Sequence, residues 1–180
     1  MIEWFLNLGI PKELIVVFIS ALPILELRGA IPIAINLFQI PWYWAFLLAL
    51  IGNLIPVPIL LIFLEYLAKI ISKVKIGEKF ISWLFERTRA RSHIIQKYQR
   101  IGLVLFVAIP LPMTGAWTGS IAAFLLGIKF RYAFLAIFCG VIIAGVIVTC
   151  LSLLGWIGAL IAGIALAAFA ILGWLHINPI

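Results

Sequence analysis

LIVVFISALPILELRGAIPIAINLF, residues 14–38, is long enough to enter a bilayer, yet it carries Glu26 and Arg28 at its centre with Pro23, Gly29 and Pro32 around them. A helix crossing hydrocarbon should not hold its charges and breakers at mid-depth. Each half, of about 10–12 residues, rises only about 15–18 Å, enough to reach the midplane but not the far side. The pattern predicts a re-entrant hairpin that goes in, breaks and returns to the same face. Broken backbone at that depth is tolerated only where protein buries it or a wet cavity receives it. A kinked ordinary span is the plainer alternative.

A second stretch repeats the pattern. Residues 101–127 read IGLVLFVAIPLPMTGAWTGSIAAFLLG, with Pro110, Pro112, Gly115 and Gly119 in the middle. Two plain apolar runs accompany the pair, Trp42–Leu64 and the uncharged stretch Tyr132–Leu175. As a helix the latter would measure about 66 Å, against a core about 30 Å thick, so it folds back once. The bend is expected near Ser152–Gly158, giving spans over 42–64, 132–152 and 157–175.

Composition requires lipid as the solvent. Of 180 residues, 66% are hydrophobic and 11% charged, whereas soluble domains run at about 45–50% and 25%. The net charge is +7, from 13 Lys and Arg against 6 Glu. Most of the basic residues lie in 69–100: Lys69, Lys73, Lys75, Lys79, Arg87, Arg89, Arg91, Lys97 and Arg100, with Glu78 and Glu86 among them. Confinement to one segment argues for topology setting and anionic lipid rather than nucleic acid, and makes this loop cytoplasmic. Phe80, Trp83, Leu84 and Phe85 suggest a surface helix within it. Arg87, Arg89, Arg91, Lys97 and Arg100 are the expected headgroup contacts. Cys139 and Cys150, 11 residues apart in one apolar run, would stand about 16 Å apart on a helix. That excludes a disulfide and reads as buried small apolar residues. The start of the chain lacks the marks of a cleaved signal, and Trp4, Phe5 and Leu8 suggest an interfacial helix.

Orientation follows from the basic loop. The first hairpin opens outward, the second opens inward, and the C-terminus lies inside. An internal repeat agrees with this. A shift of 87 brings Ala21 and Pro23 onto Ala108 and Pro110, and a shift of 88 brings Ala45, Phe46, Leu47 and Gly52 onto Ala133, Phe134, Leu135 and Gly140. The expected architecture is an all-α integral membrane protein in one domain. A hairpin-plus-span repeat (12–66) is followed by the basic loop (67–100), an inverted second copy (101–153) and a C-terminal span (155–176).

Glu26 and Arg28 are the sharpest chemical feature. A charge at bilayer depth costs at least about 2.5–3.5 kcal/mol, and such residues mark pathways or relays. Glu26 is a candidate proton acceptor, and Arg28 offers a planar fork for phosphate or carboxylate. Alternatively the two neutralise each other as a structural pair. Gly29 and Pro32 complete the first loop. In the second, Pro110, Pro112, Thr114, Gly115, Thr118, Gly119 and Ser120 would expose backbone groups and hydroxyls, with the returning half-helix expected to start near Thr118–Ser120, its N-terminus favouring anions. The hydroxyls could equally serve as caps. Asn53 is a cross-helix hydrogen bond or a pore group, and Pro56 and Pro58 should kink its span. Glu65 and Lys69 form an interfacial i,i+4 pair. There is no metal-ligand cluster, nucleotide-binding fingerprint or hydrolytic triad, so neither an enzyme nor a cofactor is expected.

At ELRGAIP, residues 26–32, and PLPMTGAWTG, residues 110–119, nearly the whole chain resembles the family labelled putative small multidrug export protein, itself similar to the DedA/VTT superfamily. The resemblance implies two facing re-entrant loops, an acidic residue in the first, and transport. DedA relatives are associated with lipid-carrier translocation, dependence on the proton-motive force and lipid scrambling. Their second loops usually carry an arginine; here that loop has Thr114 and Thr118, and Arg28 stands in the first.

The leading expectation is a secondary, proton-coupled transporter or lipid translocase in the cytoplasmic membrane. It would move a small anionic or amphipathic substrate, with membrane lipid and protons as partners and a homodimer as the default assembly. A non-transporting scaffold that uses the basic loop, and a small multidrug exporter, are the alternatives.

Overall fold

The computed structural model describes residues 9–71, 93–111, 114–155 and eight further positions between 157 and 168. The described residues are helical without strands. In chain order the helices are α1 (Lys12–Ala21), α2 (Glu26–Pro32), α3 (Trp42–Leu54), α4 (Pro56–Ile71), α5 (His93–Ala108), α6 (Ala116–Leu125) and α7 (Phe130–Leu153).

Prolines and glycines set the boundaries. Pro11 and Pro41 stand as extended N-caps before α1 and α3. α1 ends as expected ahead of Pro23, and the chain turns through 22–25. The break is shorter than the sequence suggests, because Gly29 and Pro32 lie inside α2. Pro32 has no N–H for the turn before it, and the helix continues as a widened π segment over Ile33–Leu37. Likewise α6 begins at Ala116, two residues before the expected start, with Gly119 and Ser120 inside it. Gly127 (φ 64°) closes α6 and Gly155 (φ 59°) closes α7, both in the left-handed conformation that glycine adopts without a steric cost. Gly155 lies in the expected bend, and the chain beyond it returns so closely that Gly158 lies against the Leu151 carbonyl.

Among the described residues two helices are long and apolar enough to cross a membrane: α3 with α4 (Trp42–Ile70) and α7. Only 28% and 44% of their most apolar windows are buried, whereas a soluble core helix would be mostly covered. The first extends beyond the expected end at Leu64 and breaks at Ile55, beside Pro56, as the prolines require. α5 begins at His93, inside the stretch read as the basic loop. Cys139 and Cys150 are exposed rather than buried. Three helical turns apart, they share one face of α7, while Gly140, Ala144, Gly145 and Val148 on the other face pack inward. The N-terminal segment, most of the basic loop, Pro112 and the end of the expected C-terminal span lie outside the described residues.

The core is built by close approach of backbones over small residues. α1 packs on α3 and α5 on α7. A Cβ on Gly52 would overlap the Val17 carbonyl, and Ser20 donates to the Ala49 carbonyl at 2.5 Å. A Cβ on Gly140 would come within 2.9 Å of the Val104 carbonyl and 2.7 Å of the Val107 side chain. Helices in lipid gain stability from such packing rather than from hydrophobic sorting. α2 packs on α7, α6 packs on α4, and α3 crosses α7 with Phe46 filling the space over Gly145.

Gly52→Val and Gly140→Val should each cost about 1–3 kcal/mol through overpacking, read as a lowered Tm of the purified protein in detergent. Gly102→Ala, where nothing lies within 4 Å, should leave Tm unchanged or slightly raised.

Candidate functional site

The two loops meet. Glu26 opens α2 with φ 48°, a left-handed conformation that costs a non-glycine residue about 1–2 kcal/mol. It is only 4% exposed. Its carboxyl reaches across to the start of α6, where Oε1 accepts the Trp117 N–H at 3.3 Å and the Ala116 N–H faces the same group. The first turn of a helix has N–H groups without partners and carries the positive end of the helix dipole. Glu26 therefore caps α6 from another part of the chain. Gly115, just before that turn, leaves the space that the carboxyl fills, and a Cβ there would fall on the carboxylate itself.

Arg28, two residues on, reaches the same loop. Its Nη1 donates to the Leu111 carbonyl and its Nη2 to Thr114 Oγ1 at 3.2 Å. Nη2 lies 3.9 Å from Glu26 Oε2, an ionic contact too long for a direct hydrogen bond. The Arg28 Nε is buried without a partner among the described residues. A third tie runs the other way: the Trp117 indole N–H donates to the Ala21 carbonyl at 3.1 Å, at the end of α1. Side chains of the first loop thus hold backbone of the second, and a side chain of the second holds backbone of the first.

The other expected residues divide. Thr114 belongs to the clasp and also braces its own loop, with its hydroxyl 2.7 Å from the Ile109 carbonyl and 2.9 Å from that of Leu111. Pro110 is half-buried at the end of this loop. Thr118 acts locally, its Oγ1 accepting the Gly115 N–H at 2.9 Å. Ser120 bonds back to the Ala116 carbonyl at 2.7 Å. Gly119 makes room for Val107. Gly29 faces Leu25, and Pro32 ends the α-helical part of its segment. Asn53 takes no part in the clasp. Of the basic residues, Arg100 lies over the Tyr132 ring at 3.4 Å from its centroid; Arg87, Arg89, Arg91 and the Lys97 side chain lie outside the described residues.

Trp117 and the carbonyls of Ala21 and Leu111 are the participants that residue types did not single out. A tryptophan N–H in an apolar stretch needs an acceptor, which was the available signal for Trp117. No residue type marks the Ala21 or Leu111 carbonyl.

The family model described as "Putative small multi-drug export protein" matches residues 26–147, from Glu26 through most of α7. No curated protein and no solved structure matches the chain.

Gly115→Ala should lower Tm by displacing the carboxyl. In a Glu26→Ala background the same substitution should cost much less, so a double-mutant cycle should give a coupling of about 1–3 kcal/mol. Equal effects in both backgrounds would show that the carboxyl does not occupy this space.

Proposed function

The chain belongs to that small multi-drug export family, a membrane transport family, and on that premise we propose that it is a proton-coupled secondary transporter for a small anionic or amphipathic substrate. The observation that carries the reading is the Glu26 carboxylate seated on the α6 N-terminus beside Arg28. As a carboxylate, Glu26 satisfies the Trp117 N–H and offsets the guanidinium. Protonation removes the charge that holds this arrangement, freeing the α6 amides and Arg28 for an anionic group. A negative substrate and the ionised carboxyl compete for the same donors, which is the elementary requirement for coupling one to the other.

On this reading the architecture is two re-entrant hairpins, each followed by a span and related by an internal inversion, and repeated local geometry supports it. The contacts repeat with the offsets visible in the sequence. α1 ends at Ala21 and α5 at Ala108; α3 starts at Trp42 and α7 at Phe130. The N-caps Pro41 and Lys129 share their backbone conformation, φ −52° and ψ 138° against φ −59° and ψ 142°. Gly52 abuts the carbonyl of Val17, and Gly140 abuts that of Val104. One hairpin and one span make an odd number of crossings, so the second copy enters from the opposite face. Alternating access follows as the hairpins part and rejoin.

The membrane is the cytoplasmic one, with the basic loop inside and anionic lipid as a partner, and the protein acts without enzymatic chemistry. Translocation of a lipid headgroup, which the likeness to DedA relatives suggests, suits the same donors. A homodimer is the assembly that would enclose a path for so small a chain.

In proteoliposomes carrying NBD-phosphatidylglycerol, the wild type should translocate label at a rate that depends on pH. Glu26→Gln, whose amide oxygen still accepts the Trp117 N–H, should stay folded while losing the pH dependence. A variant indistinguishable from wild type at every pH would refute the assignment of Glu26. Cysteines placed along 20–32 should react with impermeant maleimide from outside, and those along 108–120 from inside. Labelling of both stretches from one face would exclude the inverted arrangement.

A further inference from the structure

Where α3 gives way to α4, the sequence reads Gly52-Asn53-Leu54-Ile55-Pro56-Val57-Pro58. In an unbroken helix the Gly52 and Leu54 carbonyls would accept from residues 56 and 58. Both are prolines and have no N–H to give. Two acceptors are therefore freed within one turn, at the C-terminal, negative end of α3. Between them lies Asn53, 1% exposed, with Oδ1 buried and without a hydrogen-bond partner among the described residues. An unpaired buried polar atom costs about 1–3 kcal/mol in a protein interior. Asn53 and Pro56 are three residues apart and both buried, so they share a helix face. The Gly52 carbonyl is aimed along the helix toward Pro56, so it lies on the face that carries Asn53. Ser20 packs on the same turn, and its hydroxyl proton is directed to the Ala49 carbonyl, which leaves its oxygen available as an acceptor.

The cluster is made of acceptors, and a ligand for it must bring positive charge or donated protons. We propose that the α3–α4 break is a binding site for a monovalent alkali cation, with the Gly52 carbonyl, Asn53 Oδ1 and Ser20 Oγ as its oxygens. Hard cations select such ligands, and the ends of broken membrane helices supply them to Na⁺ in transporters. The oxygens are neutral and no carboxylate stands among these residues, so a single charge is what the helix end can offset; a divalent ion would be left uncompensated. The site is distinct from the Glu26 clasp and holds whether or not Glu26 carries the coupling proton. On the transport reading it supplies a second ion to the same molecule.

The test is the melting of the purified full-length chain in detergent, in NaCl against choline chloride at equal ionic strength and pH. Sodium should raise Tm saturably, by about 2–4 °C at concentrations well above its Kd. Glu26→Gln should respond as wild type, and Asn53→Leu should not respond. Identical curves for the wild type in NaCl and choline chloride would overturn the proposal and leave a buried water as the partner of Asn53. An undiminished sodium response in Asn53→Leu would overturn it as well. Should Asn53→Leu fail to fold, Pro56→Ala restores a donor to the Gly52 carbonyl and should weaken the sodium response several-fold; an unchanged response in that variant counts equally against the site.

Discussion

A carboxyl in an apolar interior needs partners, and Glu26 finds them both two residues away, in Arg28, and 91 residues away, at the Trp117 N–H. Glu26 is held by the free N–H groups at the start of α6 and by the offset guanidinium of Arg28. The same contact supplies α6 with its cap, since Gly115 has no side chain to provide one. It also stabilises the unfavourable backbone at Glu26. Remove the carboxylate and three local needs go unmet together: a cap, a counter-charge and the reason for a left-handed glutamate.

The clasp rests on a frame that is far less specific. Helices pack wherever a glycine, alanine or serine lets two backbones touch, and the larger apolar side chains point outward into what must be lipid. Such a frame fixes positions without using charge, so the few ionisable groups inside it serve the loops alone. Gly52 on the Val17 carbonyl and Gly140 on that of Val104 make the same kind of contact in the two parts of the frame, whereas the loops differ. One loop carries the charged side chains and the other offers amides and carbonyls.

Much of this was legible in the residues. Proline and glycine within apolar stretches announced both breaks, Glu26 with Arg28 stood out as the charged pair of the clasp, and the offset of 87 to 88 residues also separates the boundaries Ala21 from Ala108 and Trp42 from Phe130. The misreadings have physical reasons. Gly29 and Pro32 were expected in the loop because they are poor helix formers, but tertiary packing and a widened turn accommodate them within a helical segment. Cys139 and Cys150 were expected inside because apolar character usually reports burial; in lipid both sides of a helix are apolar, and only small residues report the packed face. Thr118 and Ser120 were candidates as hydroxyls at depth, and their partners are carbonyls and amides of their own turn. The cross-helix bond expected of Asn53 is not among the described contacts.

Because the second loop contributes mainly main-chain atoms, its contribution does not depend on which side chains it bears. Leu111 supplies a carbonyl and Ala116 an amide that any non-proline residue could supply equally well. Among the described residues of the loop, Gly115, for want of room, and Trp117 and Thr114, for their donor and acceptor, are held to type. Divergence in relatives should therefore fall unevenly. ELRG-like charge signatures would persist in the first loop, while the second drifts in every letter except its small residue and its anchors. Two sequences could then share this mechanism while agreeing, across that loop, on little more than a glycine.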